Sequence, residues 1–221
     1  MDTVQDAREY DAMDHSAVNA QFVTDLFAAV TDWSLKRPVH GDTCAGDILD
    51  LGTGTAQIPI ELARRALNAH VMAIDAAESM LAVARTNISA FNLDDRIHLV
   101  LADARQLPFE ISSFSVVISN SIVHHIAEPR AVVTEAIRVC ARGGLMFHRD
   151  LMRPEDDAQL ERLVETYAGS ATAYQRKLFS DSFRAALTVD EVRDLVSSLG
   201  YSPDTARPTS DRHWTWVATR E

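Results

Sequence analysis

Two glycines separated by one residue, Gly52 and Gly54, lie in a segment that predicts a turn between a strand and a helix. The apolar run within residues 47–51 predicts a buried strand, and residues 57–67 have the apolar periodicity of an amphipathic helix. Glycines allow the backbone to approach a ligand closely, and exposed N–H groups at a helix start favour anions and polar acceptors. The segment therefore predicts a ligand-binding turn.

This turn differs at one position from the turn that binds dinucleotides. The dinucleotide turn has a third glycine, in the pattern G-x-G-x-x-G, and this chain has Gln57 at that position. The difference weakens the prediction of a bound pyrophosphate. A nicotinamide-dependent oxidoreductase is therefore an alternative and not the first hypothesis.

Strands and helices alternate after the turn and predict a doubly wound α/β fold with a mainly parallel sheet. The later strands are predicted at residues 70–75, 97–101, 115–119 and 143–149. Ligands of such sheets bind beyond the carboxyl ends of the strands. The side chains that follow the first four strands are therefore the candidates for a site.

Two aspartates lie at the ends of the next strands. Asp75 closes strand two, and a carboxylate at this position can accept hydrogen bonds from both hydroxyls of a ribose. Asp103 follows strand three, where an aspartate alone is weak evidence because Asp is common in turns. The glycine turn, Asp75 and Asp103 end three successive strands, however, and this register predicts that they belong to one site.

The segment from Asp50 to Ala56 resembles motif I of the class I S-adenosylmethionine-dependent methyltransferases of the small-molecule type, which reads acidic-x-Gly-x-Gly-x-Gly. Asp50, Gly52 and Gly54 match the motif, and Ala56 replaces the third glycine. The resemblance extends over residues 47–150. It implies a Rossmann-like, mainly parallel seven-stranded sheet with helices on both faces, N-terminal helices and a helical insertion after strand five. It also implies S-adenosylmethionine as the cofactor.

The resemblance assigns parts of the cofactor to particular residues. Asp75 would bind the ribose, and Asp103 with the backbone amide of Ala104 would bind the adenine. The remaining positions implied for cofactor binding are Asp50, Gly52, Thr53, Gly54, Gln57, Ala76, Met80 and Asn120. Together these residues predict one ligand that contains a ribose and an amino-purine.

Four side chains are candidates for catalysis. His124 and His125 follow strand four and are candidates for a general base, because imidazole titrates near neutral pH. The sequence does not distinguish between them, and the alternative is that they only pack and bond to the backbone. Asp150 is a candidate for binding an amine or a hydroxyl. Tyr10 lies on an N-terminal helical segment, which the resemblance implies folds over cofactor and substrate.

The length of 221 residues predicts a single domain. We expect a helical lid at 1–40, a cofactor-binding core at 47–150, a helical insertion at 151–187, and a last helix with C-terminal strands at 188–221. Thr188 predicts the N-cap of that last helix, with Glu191 at the capping-box position three residues later.

Composition argues against some partners and predicts a location. The net charge of −11 argues against nucleic acid as a partner. No apolar run approaches the roughly 18 to 20 residues that span a bilayer. The two cysteines, Cys44 and Cys140, have no metal-ligand spacing, so no metal site is predicted. With no secretory signal, they predict free thiols in a cytoplasmic protein.

The sequence therefore predicts S_N2 transfer of a methyl group from a sulfonium to an O, N, C or S atom of a small-molecule acceptor. Besides the oxidoreductase, two alternatives are a different reaction of the sulfonium and binding of the cofactor without turnover. The prediction extends neither to the identity of the acceptor nor to the oligomeric state.

Overall fold

The computed structural model describes residues 4–13, 15–36 and 48–221. Cys44 and Asp47, where strand one is predicted to begin, lie outside these residues, as do parts of the predicted lid. Within the described residues none of the helices is both long and apolar enough to cross a membrane.

Eight α-helices lie in the described residues. They are α1 Val4–Asp11, α2 Ser16–Leu35, α3 Gln57–Arg65, α4 Glu78–Ala90, α5 Pro129–Val139, α6 Asp157–Ala168, α7 Ala173–Ala185 and α8 Val189–Ser197. Two short 3-10 helices, Val123–His125 and Pro203–Thr205, accompany them.

Seven strands form one sheet in the order β3-β2-β1-β4-β5-β7-β6. They are β1 Ile48–Leu51, β2 Val71–Asp75, β3 Ile97–Leu101, β4 Phe114–Asn120, β5 Cys140–Leu151, β6 Ala206–Pro208 and β7 His213–Thr219. β1 is parallel to both β2 and β4, and β2 is parallel to β3. β6 and β7 pair antiparallel. The predicted mainly parallel, seven-stranded α/β fold is therefore confirmed.

Strand β5 is longer than the sequence predicts. The prediction ends it at residue 149, whereas the strand continues to Leu151 and includes His148, Arg149 and Asp150. These three side chains are buried, with exposed fractions of 1%, 6% and 1%. Successive polar residues predict the end of a strand. Here they belong to the strand, because their side chains have polar or aromatic neighbours within the fold.

The described chain divides into two compact units. The first contains the described residues within 1–119, 131–147 and 219–221, and the second contains residues 120–130 and 148–218. The core of the first unit includes fully buried Leu49 and Leu51 of β1 and Leu81 of α4. In the second unit Leu151, Leu160, Leu163, Phe183 and Ala186 form one apolar cluster. The assignment of lid, core and insertion to one domain stays a prediction.

The helices of the second unit begin at residues that satisfy free backbone donors. Thr188 accepts a hydrogen bond from the N–H of Glu191, whose side chain accepts one from the Thr188 N–H. This is the capping box predicted from the sequence, and it defines the start of α8. Thr172 and Gln175 form the same arrangement at the start of α7.

Candidate functional site

The turn after β1 has an unusual backbone. Gly52, Gly54 and Ala56 all adopt left-handed conformations, with φ of 69°, 58° and 65°. This region favours glycine because a Cβ crowds the carbonyl oxygen there. A Cβ built on Gly54 would meet no heavy atom within 4 Å, so open space lies beside this glycine. Ala56 adopts the same conformation with its side chain fully buried.

Asp75, the last residue of β2, holds the turn in place. Its Oδ2 accepts a hydrogen bond from the Gly54 N–H at 2.9 Å, and its Oδ1 accepts one from the Ala77 N–H at 2.9 Å. The N–H of Thr53 donates to the carbonyl of Ile74 at 2.8 Å. The end of β2 therefore fixes both the glycine turn and the approach to α4, which begins at Glu78.

Asp50 is a buried carboxyl group directly before the turn. It is 2% exposed, and its Oδ2 has no hydrogen-bond partner in the described part of the chain. Loss of hydration raises its pKa to about 7. The hydroxyl of Thr55, also 2% exposed, is likewise without a partner among these residues. Such groups are expected to bond to a polar ligand or to water.

Tyr10 of α1 lies beside the start of α4. It packs against a cluster that includes Ala7 of α1 and Met80 of α4. Burial, followed by the negative charges of Asp75 and Asp11, raises the pKa of its phenol. Tyr10 is therefore a neutral hydroxyl within electrostatic reach of Asp75. Tyr10 lies in the first unit, with the residues that are predicted to bind the cofactor. A catalytic role for Tyr10 stays a prediction.

Asp103 lies on the surface beyond β3 and has a partner that the sequence analysis did not consider. Arg105 approaches both carboxylate oxygens, with Nε at 3.0 Å from each and Nη2 at 2.6 Å from Oδ2. These hydrogen bonds lower the pKa of Asp103. Of the other predicted adenine neighbours, Ala104 and Met80 are buried and Ala76 is exposed.

Gln57 is occupied by side chains of the N-terminal helices. Its Oε1 accepts a hydrogen bond from Asn19 at 3.0 Å, and its Nε2 donates to Asp11 at 3.0 Å. Asn87 of α4 donates to the same oxygen of Asp11 at 2.9 Å. Asp11, Asn19 and Asn87 were not identified from the sequence, because amides and carboxylates on exposed helices have no distinctive pattern.

The second unit contains a histidine held by a carboxylate. Nδ1 of His124 lies 2.5 Å from Oδ1 of Asp150, and both side chains are almost fully buried. Asp150 also accepts hydrogen bonds from the N–H groups of Val123, His124 and Leu151 at 2.6, 3.3 and 2.6 Å. Because the Asp150 carboxylate accepts hydrogen bonds, Nδ1 of His124 carries the hydrogen that is donated to it. Nε2 then carries the lone pair and is the basic nitrogen.

The residues around this pair have different surroundings. His125 is exposed, and its ring centroid lies 3.9 Å from that of His124. Arg149 donates from Nε to the Thr215 hydroxyl at 2.9 Å. His148 is buried beside Trp216, and burial lowers its pKa to about 4. Asn120 is the last residue of β4 and does not follow it. The described residues contain no group of three or more His, Cys, Asp or Glu side chains suited to a metal ion.

Comparison with known proteins identifies related sequences. A family model described as "Methyltransferase domain" matches residues 48–144. The demethylmenaquinone methyltransferase of Clavibacter sepedonicus is 40% identical over 107 residues, which cover 48% of this chain and 40% of that protein. The phosphatidylethanolamine N-methyltransferase of Cereibacter sphaeroides is 32% identical over 138 residues, which cover 62% of this chain and 66% of that protein. The chain spans about half the length of the curated relatives it matches.

A solved structure supports the fold over the whole chain. A SAM-dependent methyltransferase from Aquifex aeolicus superimposes with a TM-score of 0.66 and 15% identity, with all of both chains covered. At this identity the likeness concerns the fold alone.

The open space beside Gly54 predicts the effect of adding one methyl group. We expect Gly54→Ala to weaken binding of S-adenosylhomocysteine at least tenfold in isothermal titration, because the Cβ enters space next to the turn that the cofactor is predicted to occupy. The left-handed backbone should also lower Tm by about 2–6 °C.

Gly200 provides a matched control, since it also has a positive φ, of 92°, and open space around a built Cβ. Gly200→Ala should lower Tm by a similar amount and leave the affinity unchanged. Equal losses of affinity in both variants would contradict the assignment of Gly54.

The raised pKa of Asp50 predicts a pH-dependent stability. The folded protein retains the Asp50 proton up to about pH 7, whereas the unfolded chain loses it near pH 4. The folded state therefore binds more protons in this interval, and its free energy of unfolding falls as pH rises towards 7. We expect urea unfolding of the ligand-free proteins to show that the free energy of unfolding of the wild type falls by on the order of 2 kcal/mol relative to that of Asp50→Asn between pH 5 and 8. A constant difference between the two proteins would show that Asp50 is already ionised at pH 5.

Proposed function

Because the chain belongs to the class I S-adenosylmethionine-dependent methyltransferases, we propose that it transfers a methyl group from this cofactor to a hydroxyl of a small, largely apolar acceptor. The observation that best supports the transfer is the Asp75 carboxylate bonded to a glycine turn that keeps open space beside Gly54. The comparisons do not favour the nicotinamide-dependent alternative.

The residues of the first unit fit the cofactor of this family, which is S-adenosylmethionine. Asp50 and Thr55 have buried polar atoms without partners in the described residues, which suits the polar methionine part. Asp75 would accept hydrogen bonds from the ribose hydroxyls, and Asp103 with Ala104 would bind the adenine. Tyr10, which is neutral and within electrostatic reach of Asp75, would cover the ribose and exclude water from it.

The cofactor, when bound, supplies a methyl group already activated on a sulfonium. The protein then has to bind and align the two reactants, because proximity and exclusion of water provide most of the rate enhancement for such a displacement. The residues of the glycine turn are suited to this task, since a backbone fixed by Asp75 reorganises little when the ligand binds.

His124 is the general base in this proposal. With Nδ1–H donated to Asp150, the lone pair on Nε2 would accept the proton that the acceptor hydroxyl loses on methylation. The partnership with Asp150 stabilises the imidazolium that results. A base is needed for a hydroxyl because a neutral alcohol or phenol is a poor nucleophile.

The nature of the acceptor is inferred from this chain, because the relatives named above differ in the substrates that their names give. α7 contacts the 3-10 helix that contains His124. It exposes two large apolar side chains, Tyr174 at 66% and Leu178 at 45%. We infer an apolar acceptor that carries a weakly acidic hydroxyl.

The proposal is tested by incubating the protein with S-adenosylmethionine and a panel of apolar phenols and alcohols, followed by mass spectrometry. The expected product has gained one methyl group, with one S-adenosylhomocysteine released per turnover. The choice of acceptor atom would be overturned if the protein bound the cofactor and methylated an amine or a thiol but none of the hydroxyls. Tight binding of NAD in place of S-adenosylmethionine would overturn the cofactor.

The proposed role of His124 as the general base predicts that a small change in its side chain lowers kcat strongly. We expect His124→Gln to lower kcat by about 10²–10⁴-fold, because general-base catalysis contributes this much, with the affinity for S-adenosylhomocysteine unchanged. Asp150→Asn should act in the same direction, since an amide does not fix the imidazole in the same tautomer.

His98→Gln is the control, because His98 is an exposed residue of β3 without an assigned role, and its kcat should stay within about twofold of wild type. A loss in His125→Gln with normal turnover in His124→Gln would assign the base to His125 instead.

A further inference from the structure

Asp11, the last residue of α1, makes contacts that the proposed function does not use. Its Oδ1 accepts hydrogen bonds from Nε2 of Gln57 at 3.0 Å and from Nδ2 of Asn87 at 2.9 Å. Its main-chain carbonyl accepts a third, from the same Nε2 at 3.3 Å. We call Asp11, Gln57 and Asn87 the Asp11 latch.

Both amide partners of Asp11 belong to the structure around the glycine turn. Gln57 begins α3 and follows Ala56 directly. Asn87 of α4 also donates to the carbonyl of Thr55 at 3.0 Å, so it bonds to the turn itself. Gln57 in addition accepts a hydrogen bond from Asn19 of α2 at 3.0 Å. One carboxylate thus connects α1 with the two helices that flank the turn.

The chemistry of the latch makes it sensitive to the identity of residue 11. Asp11 is half-buried and forms no ion pair with any Lys or Arg of the described residues, so its negative charge is balanced by neutral amide donors alone. Hydrogen bonds to a charged acceptor are about twice as strong as neutral ones. An asparagine at this position cannot accept from both amides as effectively and brings a donor of its own towards them.

The residue next to Asp11 explains why the latch concerns the cofactor. Tyr10 packs against the apolar cluster formed by Ala7, Met80 and Val83, and its phenol lies within electrostatic reach of Asp75. The position of α1 therefore determines whether Tyr10 contacts this region, while the same latch fixes the carbonyl of Thr55 in the turn.

We propose that Asp11 is a positioning residue for the cofactor: it couples the docking of α1 to the geometry of the glycine turn, so that cofactor binding and docking of α1 stabilise each other. This inference rests on the proposed function, because it requires the turn to bind S-adenosylmethionine. Coupling of this kind is reciprocal, so a ligand that binds the turn must also protect α1, and a variant that frees α1 must lose affinity.

The experiment compares Asp11→Asn with Glu9→Gln in the full chain. Both variants remove one negative charge from α1, but Glu9 is exposed, and its one hydrogen-bond partner among the described residues is Gln5 of the same helix. Asp11→Asn should weaken binding of S-adenosylhomocysteine by 5–20-fold and raise KM for S-adenosylmethionine similarly, with kcat at saturation within twofold. Glu9→Gln should match wild type in all three quantities.

Hydrogen exchange of the α1 amides gives the second measurement. In the wild type, saturating S-adenosylhomocysteine should slow exchange of α1 at least fivefold, and in Asp11→Asn exchange should be fast without ligand. In a double-mutant cycle, the loss of affinity caused by Asn87→Ala should be at least threefold smaller in the Asp11→Asn background than in the wild type.

Four results would overturn the inference. They are unchanged affinity in Asp11→Asn, equal losses in Asp11→Asn and Glu9→Gln, α1 exchange that does not respond to ligand in the wild type, and additive losses in the cycle. Wild-type protein that binds neither S-adenosylmethionine nor S-adenosylhomocysteine would overturn the proposed function together with this inference. Normal wild-type binding with an unaffected Asp11→Asn would overturn the inference alone.

Discussion

The hydrogen bond from the Gly54 N–H to the Asp75 carboxylate is the interaction on which the cofactor region depends. It joins the turn after β1 to the end of β2, and the second oxygen of Asp75 reaches the N–H of Ala77 before α4. Parallel pairing of β1 with β2 brings these two strand ends to the same edge of the sheet. One carboxylate thereby bonds to both the left-handed turn after β1 and the approach to α4.

Buried polar groups in β1 and in the glycine turn favour a polar ligand in the first unit. Asp50 has lost its hydration and lacks a partner for Oδ2 among the described residues, and such a group is unfavourable unless a ligand or water bonds to it. The Asp11 latch adds a constraint from α1, which begins far from the turn in sequence. In the second unit, Asp150 does for His124 what Asp75 does for the turn: it holds one group through several hydrogen bonds.

The sheet and the strand-end residues were predictable because they depend on periodicity and on spacing along the chain. Alternating strands and helices predicted the parallel order, and the capping box at Thr188 predicted the start of α8. The extension of β5 from Arg149 to Leu151 was missed because a charged residue such as Asp150 is typical of the end of a strand. Arg105 and Asp11 were missed because their roles arise from tertiary contacts, for which neither residue has a local sequence signal.

Isothermal titration of Asp75→Ala and Asp75→Asn with S-adenosylhomocysteine tests the central claim most directly. Asparagine keeps the size of the side chain and one acceptor oxygen, whereas alanine leaves the Gly54 N–H without its partner. We expect at least tenfold weaker binding for Asp75→Ala, a smaller loss for Asp75→Asn, and both proteins folded by circular dichroism. Wild-type affinity in a folded Asp75→Ala protein would contradict the claim that this carboxylate organises the cofactor site.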